Sequence, residues 1–147
     1  MRKTLLALCL TLPAGMVAAQ SPDDAVKARQ GFFDLLGAQM SVLAPMAQGK
    51  TEFNADTAGV AANNMVALTN VDITPLFVKG TSTDTMSNTH AKPAIWEKPS
   101  DFTAKYAALK EAVAALPAAA ASKDTLGPAL GQVGGACKSC HDEFRAK

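Results

Sequence analysis

The possible folds of this 147-residue chain are limited most by one segment near its end, Cys137-Lys138-Ser139-Cys140-His141. On a helix, positions i, i+3 and i+4 share one face, so two thiols and an imidazole turn toward the same neighbour. Such thiols can each form a thioether with a haem vinyl group, and the histidine that follows can then bind the iron. The motif predicts one covalent haem c, attached through Cys137 and Cys140, with His141 as the axial ligand.

Two other chemistries use cysteines at this spacing. A redox disulfide is expected at the start of a helix in a βαβ unit, and the sequence shows no such pattern. A structural zinc site needs four ligands, but the only other histidine is His90 and the only other cysteine is Cys9. Cys9 falls in a segment that we expect to be removed. The sequence therefore favours haem attachment.

The first nineteen residues have the features of a secretory signal peptide. A basic start at residues 1–3 precedes an apolar run over residues 4–13, and small residues before Gln20 permit cleavage there. The apolar run is shorter than the roughly 20 residues of a membrane span, and no later segment is long and uncharged enough to be one. We predict a signal peptide at residues 1–19, one exported domain at residues 20–147 and a periplasmic location.

Composition narrows the class of protein further. The formal charge of the full chain is only +1 and no basic run is present, so nucleic acid is not an expected partner. The chain is rich in alanine, has only 5% aromatic residues and lacks a long alternating β-branched run. This composition favours helices.

Hydrophobic periodicity predicts four helices. They are expected over about residues 21–48, 54–71 and 100–117, and from near Asp124 or Thr125 onward. Ser100 is expected to cap the third helix, and Pro128 to be tolerated only in the first turn of the fourth. The sequence thus predicts an all-α fold, an antiparallel four-helix bundle whose last helix carries the haem.

The first predicted helix has one apolar face, interrupted by a charge. The apolar residues of this face are separated by seven, three, four and three positions, and they are Val26, Phe33, Leu36, Met40 and Leu43. Arg29 lies one turn before Phe33 on the same face, where a charge needs a partner.

A long polar connection spans residues 72–99. Connections of this length in a compact domain are usually functional. Phe77 and Trp96 are expected to pin it against the bundle.

Three segments of the chain resemble the cytochrome c′ family, the class II c-type cytochromes. They are AVKARQ at residues 25–30, AKPAIW at residues 91–96 and GGACKSCHDEFR at residues 134–145. In that family the haem motif also lies near the C-terminus. The resemblance covers essentially the whole mature chain, and it implies a homodimer that pairs through the first two helices.

The resemblance also implies roles for individual residues on the first helix. Arg29 and Gln30 would approach the haem propionates, which would explain a guanidinium on an apolar face. Phe33 would cover the open face of the iron.

Other residues are assigned to the edge and the proximal side of the haem by the same resemblance. Thr89 and His90 would run along the haem edge, and Arg145 would flank the proximal side. Without the resemblance, Arg145 is equally well explained as a cation that complements the dipole of the last helical turn.

These assignments lead to a functional expectation. With His141 and Phe33 on the two sides of the iron, the resemblance implies a five-coordinate, high-spin haem that binds nitric oxide and carbon monoxide. Single-electron transfer to an unidentified redox partner is a further expectation. No distal acid–base pair is apparent, so the chain is not expected to be an enzyme.

The alternative is a low-spin class II electron carrier, similar to cytochrome c-556, in which a methionine of the first helix binds the iron. Met40 shares the apolar stripe but lies seven residues after Phe33, about 10 Å along the helix axis. Using Met40 would displace the haem from Arg29, so the sequence favours the high-spin interpretation.

Overall fold

A computed structural model describes residues 21–147, and the predicted signal peptide lies outside these residues. The helices are α1 (Pro22–Ala47), α2 (Ala55–Thr69), α3 (Ala94–Glu97), α4 (Pro99–Ala114), α5 (Leu116–Ala119) and α6 (Lys123–Phe144), and a 3₁₀ turn spans Thr74–Leu76. The four long helices, α1, α2, α4 and α6, correspond to the four predicted segments. No helix within residues 21–147 is long and apolar enough to cross a membrane.

Side-chain caps begin three of the long helices. Ser21, Asn54 and Ser122 each accept a hydrogen bond from the backbone N–H three residues later, at 3.1, 2.8 and 3.3 Å. Each cap satisfies one N–H that the helix itself cannot pair. The expected cap of α4 was wrong, because Ser100 lies inside the helix and Pro99 begins it. Proline is suited to this first position, since the N–H that it lacks would have no helical partner.

Prolines lie within helices more often than the sequence predicts. Pro45 is in the last turn of α1, which continues two residues beyond it. Pro117 lies in the short α5, since α4 already ends at Ala114. Pro128 is inside α6, five residues after its start, so the expectation that it must occupy the first turn was wrong. Its ring removes one hydrogen bond near the start of the helix, and the helix continues through it.

The long helices are arranged in a ring. Helix α1 contacts α2 and α6, and α4 contacts the same two helices. The predicted antiparallel four-helix bundle is therefore confirmed. Four of the fully buried apolar side chains lie where α1 and α4 end and α6 begins: Leu43, Val113, Leu116 and Leu126. We call this part of the molecule the closed end.

The polar connection between α2 and α3, residues 70–93, is held by hydrogen bonds at several points. The Trp96 indole N–H donates to the Phe77 carbonyl over 2.9 Å, as expected for two residues that pin the connection. Near the end of α6, the Lys92 N–H donates to the Phe144 carbonyl over 3.0 Å, and the Ala146 N–H donates to the His90 carbonyl over 2.8 Å. The last residues of the chain thus lie antiparallel to residues 90–92.

Candidate haem-binding site

A cavity of about 620 Å³ lies between α1, α4, α6 and the 70–93 connection, away from the closed end. We call this part of the molecule the cavity end. The lining includes every site residue named from the sequence: Arg29, Gln30, Phe33, Thr89, His90, Cys137, Cys140, His141 and Arg145. The volume is within the range of small-molecule and cofactor sites.

Helix α6 contributes the two thiols to the cavity. Cys137 and Cys140 are free, half-buried and packed against the apolar core. Burial raises the pKa of both thiols, that of Cys140 to about 11, and both are therefore protonated at neutral pH. A zinc site would need thiolates. No group of three or more His, Cys, Asp or Glu side chains in residues 21–147 is arranged to hold a metal ion.

His141 follows on the same face of α6, at the exposed rim of the cavity. Desolvation lowers its pKa, and the charge of Arg145 lowers it further. Both effects favour the neutral imidazole, which is the form that binds a metal ion. The α6 face thus presents two attachable thiols beside one potential iron ligand.

Arg29 is the buried cation of the site, with 4% of its surface exposed. Its guanidinium donates hydrogen bonds to the Thr81 hydroxyl and carbonyl, each over 2.6 Å, and to the Thr89 hydroxyl. Its Cζ atom lies 5.3 Å from the centre of the Phe77 ring. Burial lowers the pKa of Arg29 below its ordinary value.

The charge of Arg29 has neutral partners only. The ion pairs of residues 21–147 are Lys98–Glu143 and Lys138–Asp142, and neither includes Arg29. A buried charge without a counter-charge is costly, so an anionic group in the cavity would stabilise it. Two thiols at i and i+3, a neutral imidazole, an apolar wall and an unpaired buried cation together fit a haem with carboxylate substituents.

Gln30, the neighbour of Arg29, also forms a hydrogen bond with the 70–93 connection. Its side-chain amide donates to the Asn88 carbonyl over 2.8 Å. Sequence reasoning did not find Thr81 and Asn88, because they lie more than fifty residues from Arg29 and Gln30 and only the polar composition of their segment hinted at a function.

Residues His90 and Arg145 lie beside each other at the cavity rim. Both are exposed, and the antiparallel bridge between Ala91 and Arg145 fixes their relative position. Sequence reasoning placed both near the haem but did not find this pairing, which joins segments more than fifty residues apart.

Helix α4 contributes two polar side chains that sequence reasoning did not assign to the site. The Lys105 ammonium donates to the Ser139 hydroxyl, between the two cysteines, over 2.7 Å. The Tyr106 hydroxyl lies 3.1 Å from the carbonyls of both Thr69 and Val71. Burial, with a smaller effect of Asp72, raises the pKa of Tyr106 to about 12.

Helix α1 forms the aromatic wall of the cavity. Phe33 is half-buried and packs edge-to-face on Phe32, with ring centres 5.2 Å apart. Gly37 and Met40 line the same cavity one and two turns later. The wall therefore offers a phenyl ring and, farther along, a thioether.

The comparison with known sequences identifies the relatives of this chain. A model of the family described as cytochrome c′ matches residues 24–145. The cytochrome c′ of Cereibacter sphaeroides is 46% identical over 100% of this chain and 99% of that protein. Cytochrome c-554 of the same organism is 37% identical over 94% of this chain and 91% of that protein.

Solved structures show the same similarity. A cytochrome c′ from a Rhodobacter species matches with a TM-score of 0.84 at 44% identity, covering 86% of this chain and 98% of that one. A nitric oxide complex and a carbon monoxide complex of variants from Alcaligenes xylosoxidans each match with a TM-score of 0.75 at 30% identity. They cover 86% of this chain and 97% and 98% of theirs. A further cytochrome c′, with ligand-controlled dimer dissociation, has a TM-score of 0.79 at 30% identity and covers 88% of this chain and 100% of its own.

Proposed function

This chain belongs to the cytochrome c′ family, whose cofactor is covalent haem c, and on that premise we propose that it binds nitric oxide and carbon monoxide in the periplasm. We further propose that it passes single electrons to a redox partner. When bound, the haem supplies an iron that can change oxidation state and take a small neutral ligand. Relatives from Alcaligenes xylosoxidans, in complexes with these two gases, support the choice of ligands.

The residues of α6 would hold the haem. Cys137 and Cys140 would provide the thioether attachments, and His141, in its neutral form, would bind the iron. Arg29 would face a propionate with the N–H groups that it does not use for Thr81 and Thr89. Lys105 would keep the helical turn between the cysteines in place through Ser139.

Four more residues would complete the surroundings of the haem. Two hydrogen bonds would place the connection at the haem edge: one between Thr89 and Arg29, and one between Gln30 and the Asn88 carbonyl. His90 and Arg145 would lie at the exposed rim, where their neighbouring positions are set by the bridge at Ala91.

The observation that carries the proposal is the position of Phe33 in the cavity. A phenyl ring cannot bind iron, and it lines the same cavity as the thiol and imidazole face of α6. With Phe33 over the second side of the iron, that side would remain free for a gas.

The alternative, a low-spin electron carrier, depends on Met40. This residue lines the same cavity, so its thioether is the group to test as a sixth ligand. The absorption and electron paramagnetic resonance spectra of the resting protein should be high-spin, and both gases should bind on titration. A matched Met40→Leu variant should have the same resting spectrum. A low-spin resting spectrum that Met40→Leu converts to high-spin would instead establish the alternative.

We also propose export and processing of the chain. Cleavage before Gln20 would produce the domain of residues 20–147, with its haem added outside the cytoplasm. Mass spectrometry of the exported protein should give the mass of residues 20–147 plus one haem. A chain that retains residues 1–19, or that lacks the added mass, would contradict this proposal.

A homodimer is the proposed assembly. On the neighbouring helices α1 and α2, the large apolar side chains Leu35 and Val60 are 53% and 62% exposed. Burial of these side chains against a second copy would stabilise a dimer. Sedimentation equilibrium of the holoprotein should give twice the chain mass, and a Val60→Glu variant should shift toward the monomer.

A further inference from the structure

Gly37 is a glycine in the interior of α1 that local packing does not explain. Glycine there costs about 1 kcal/mol of helix stability relative to alanine. A Cβ atom at this position would have no heavy atom from the rest of the chain within 4 Å, so packing within the chain does not require a glycine. The residue lines the cavity one turn after Phe33.

The helix geometry relates Gly37 directly to the Phe33 ring. Positions i and i+4 of a helix share a face, and side chains lean toward the N-terminus of the helix. A side chain at position 37 would therefore lean over the turn that carries Phe33. Because residue 37 is glycine, no side chain of α1 covers the Phe33 ring from that side.

The other helical neighbours of Phe33 leave no such space. Arg29 is fixed by its bonds to the connection, and Gln30 is bound to the Asn88 carbonyl. On the C-terminal side, Leu36 is buried in the core. Gly37 is thus the one residue three or four positions from Phe33 that has no side chain.

We propose that Gly37 sets the rate at which diatomic gases enter the cavity, because it provides the space into which the Phe33 ring moves when a gas arrives. This inference rests on the proposed function, since it assumes that gas binds on the Phe33 side. Gly37 is a positioning residue in this proposal. It touches neither the gas nor the metal, and it acts through the ring.

The test is the carbon monoxide association rate of the reduced holoprotein, measured by flash photolysis. Gly37→Leu should lower the rate about tenfold, because the ring would be forced toward an unfavourable rotamer. The matched control is Gly31→Leu in the same helix. Gly31 also has no neighbour within 4 Å of a built Cβ, but it lies two positions before Phe33, faces away from it and does not line the cavity. This control should leave the rate within about twofold of wild type.

A double-mutant cycle separates movement of the ring from direct obstruction by leucine. In a Phe33→Ala background, Gly37→Leu should change the rate by less than about twofold, since no ring remains to be displaced. An equal fall in both backgrounds would show that leucine itself blocks the gas, and the proposal would be wrong. An unchanged rate in the single Gly37→Leu variant would also overturn it.

Two further measurements do not depend on the rate. Thermal unfolding should show that both leucine variants are folded and at least as stable as wild type, since each replaces a glycine within a helix. Crystal structures of the wild type with and without carbon monoxide should show the Phe33 ring shifted toward Gly37 in the complex. A ring in the same place in both would overturn this inference alone. A wild type that binds no carbon monoxide would instead refute the proposed function.

Discussion

The closed end and the cavity end are built from the same helices, yet they pack differently. On α1, Leu43 is fully buried, whereas Phe33 and Met40 on the same stripe are half-buried. On α4, Val113 is fully buried and Tyr106 is not. One apolar stripe thus contributes Leu43 to the solid core of the closed end, and contributes Phe33 and Met40 to the wall of the cavity.

The difference comes from what meets the helices at each end. At the closed end, α5 inserts Leu116 among the long helices, and that side chain is fully buried. At the cavity end, the polar 70–93 connection meets α1 through Arg29, which bonds to Thr81 and Thr89 instead of filling the space. Apolar periodicity shows which helix face points inward, but it does not show whether side chains or a cofactor will cover that face.

The largest expected effect is on the free energy of unfolding, and it differs between two positions on one stripe of α1. Leu43→Ala should lower the free energy of unfolding by about 3 kcal/mol, because it creates a cavity in packed core. Met40→Ala should cost about 1 kcal/mol, because part of its side chain is already exposed. Denaturant unfolding of the holoprotein, followed by circular dichroism, measures both changes. Equal losses would contradict the distinction between the two ends.

A smaller effect is expected from the buried cation at the cavity end. Arg29→Met should lower the free energy of unfolding by about 2 kcal/mol, because the acceptors at Thr81 and Thr89 lose their donor. Amide hydrogen exchange should increase mainly in the 70–93 connection. Arg29→Lys should restore only part of the protection, since an ammonium cannot reproduce the fixed fork of a guanidinium. An equal increase at the closed end would show that the two ends are not independent.

The smallest effect concerns alkaline pH. The pKa of Tyr106 is raised to about 12, above the value of about 10 for an unfolded tyrosine. Between pH 10 and pH 12 the Tyr106 hydroxyl is protonated in the folded protein but ionised in the unfolded chain. The contribution of Tyr106 to the free energy of unfolding is therefore complete below pH 10, and it falls as the pH rises toward 12.

The Tyr106→Phe variant isolates this contribution. Its thermal unfolding midpoint should fall less steeply over the same pH range, because phenylalanine does not titrate. Parallel curves for the variant and the wild type would contradict the assignment. Other groups that titrate at high pH contribute equally to both proteins, so the difference between the curves reports on Tyr106.

Much of the fold follows from local sequence signals. The four long helices could be predicted because their apolar repeats act within a few residues. The Cys137 to His141 motif could be interpreted for the same reason, since one helical turn brings its side chains together. Ser100 and Pro128 were misjudged because tertiary packing decides where a helix starts and whether a proline is tolerated.

The rest of the site depends on contacts between distant segments. Arg29 was expected to need a partner, but the sequence does not show that Thr81, 52 residues later, would provide one. Lys105 was missed because a lysine on a helix is usually exposed, and its bond to Ser139 depends on how α4 packs against α6. Such pairings are set by the three-dimensional packing and have no local signature.

The hydrogen bond between the Trp96 indole and the Phe77 carbonyl places an intrinsic fluorophore beside the cavity. Trp96 is the only tryptophan in the chain, and its indole is fastened to the segment that borders the cavity. Its fluorescence therefore originates from a single known place. In the chain before a haem is attached, emission from that indole would therefore report on the release or docking of this segment, without an added dye.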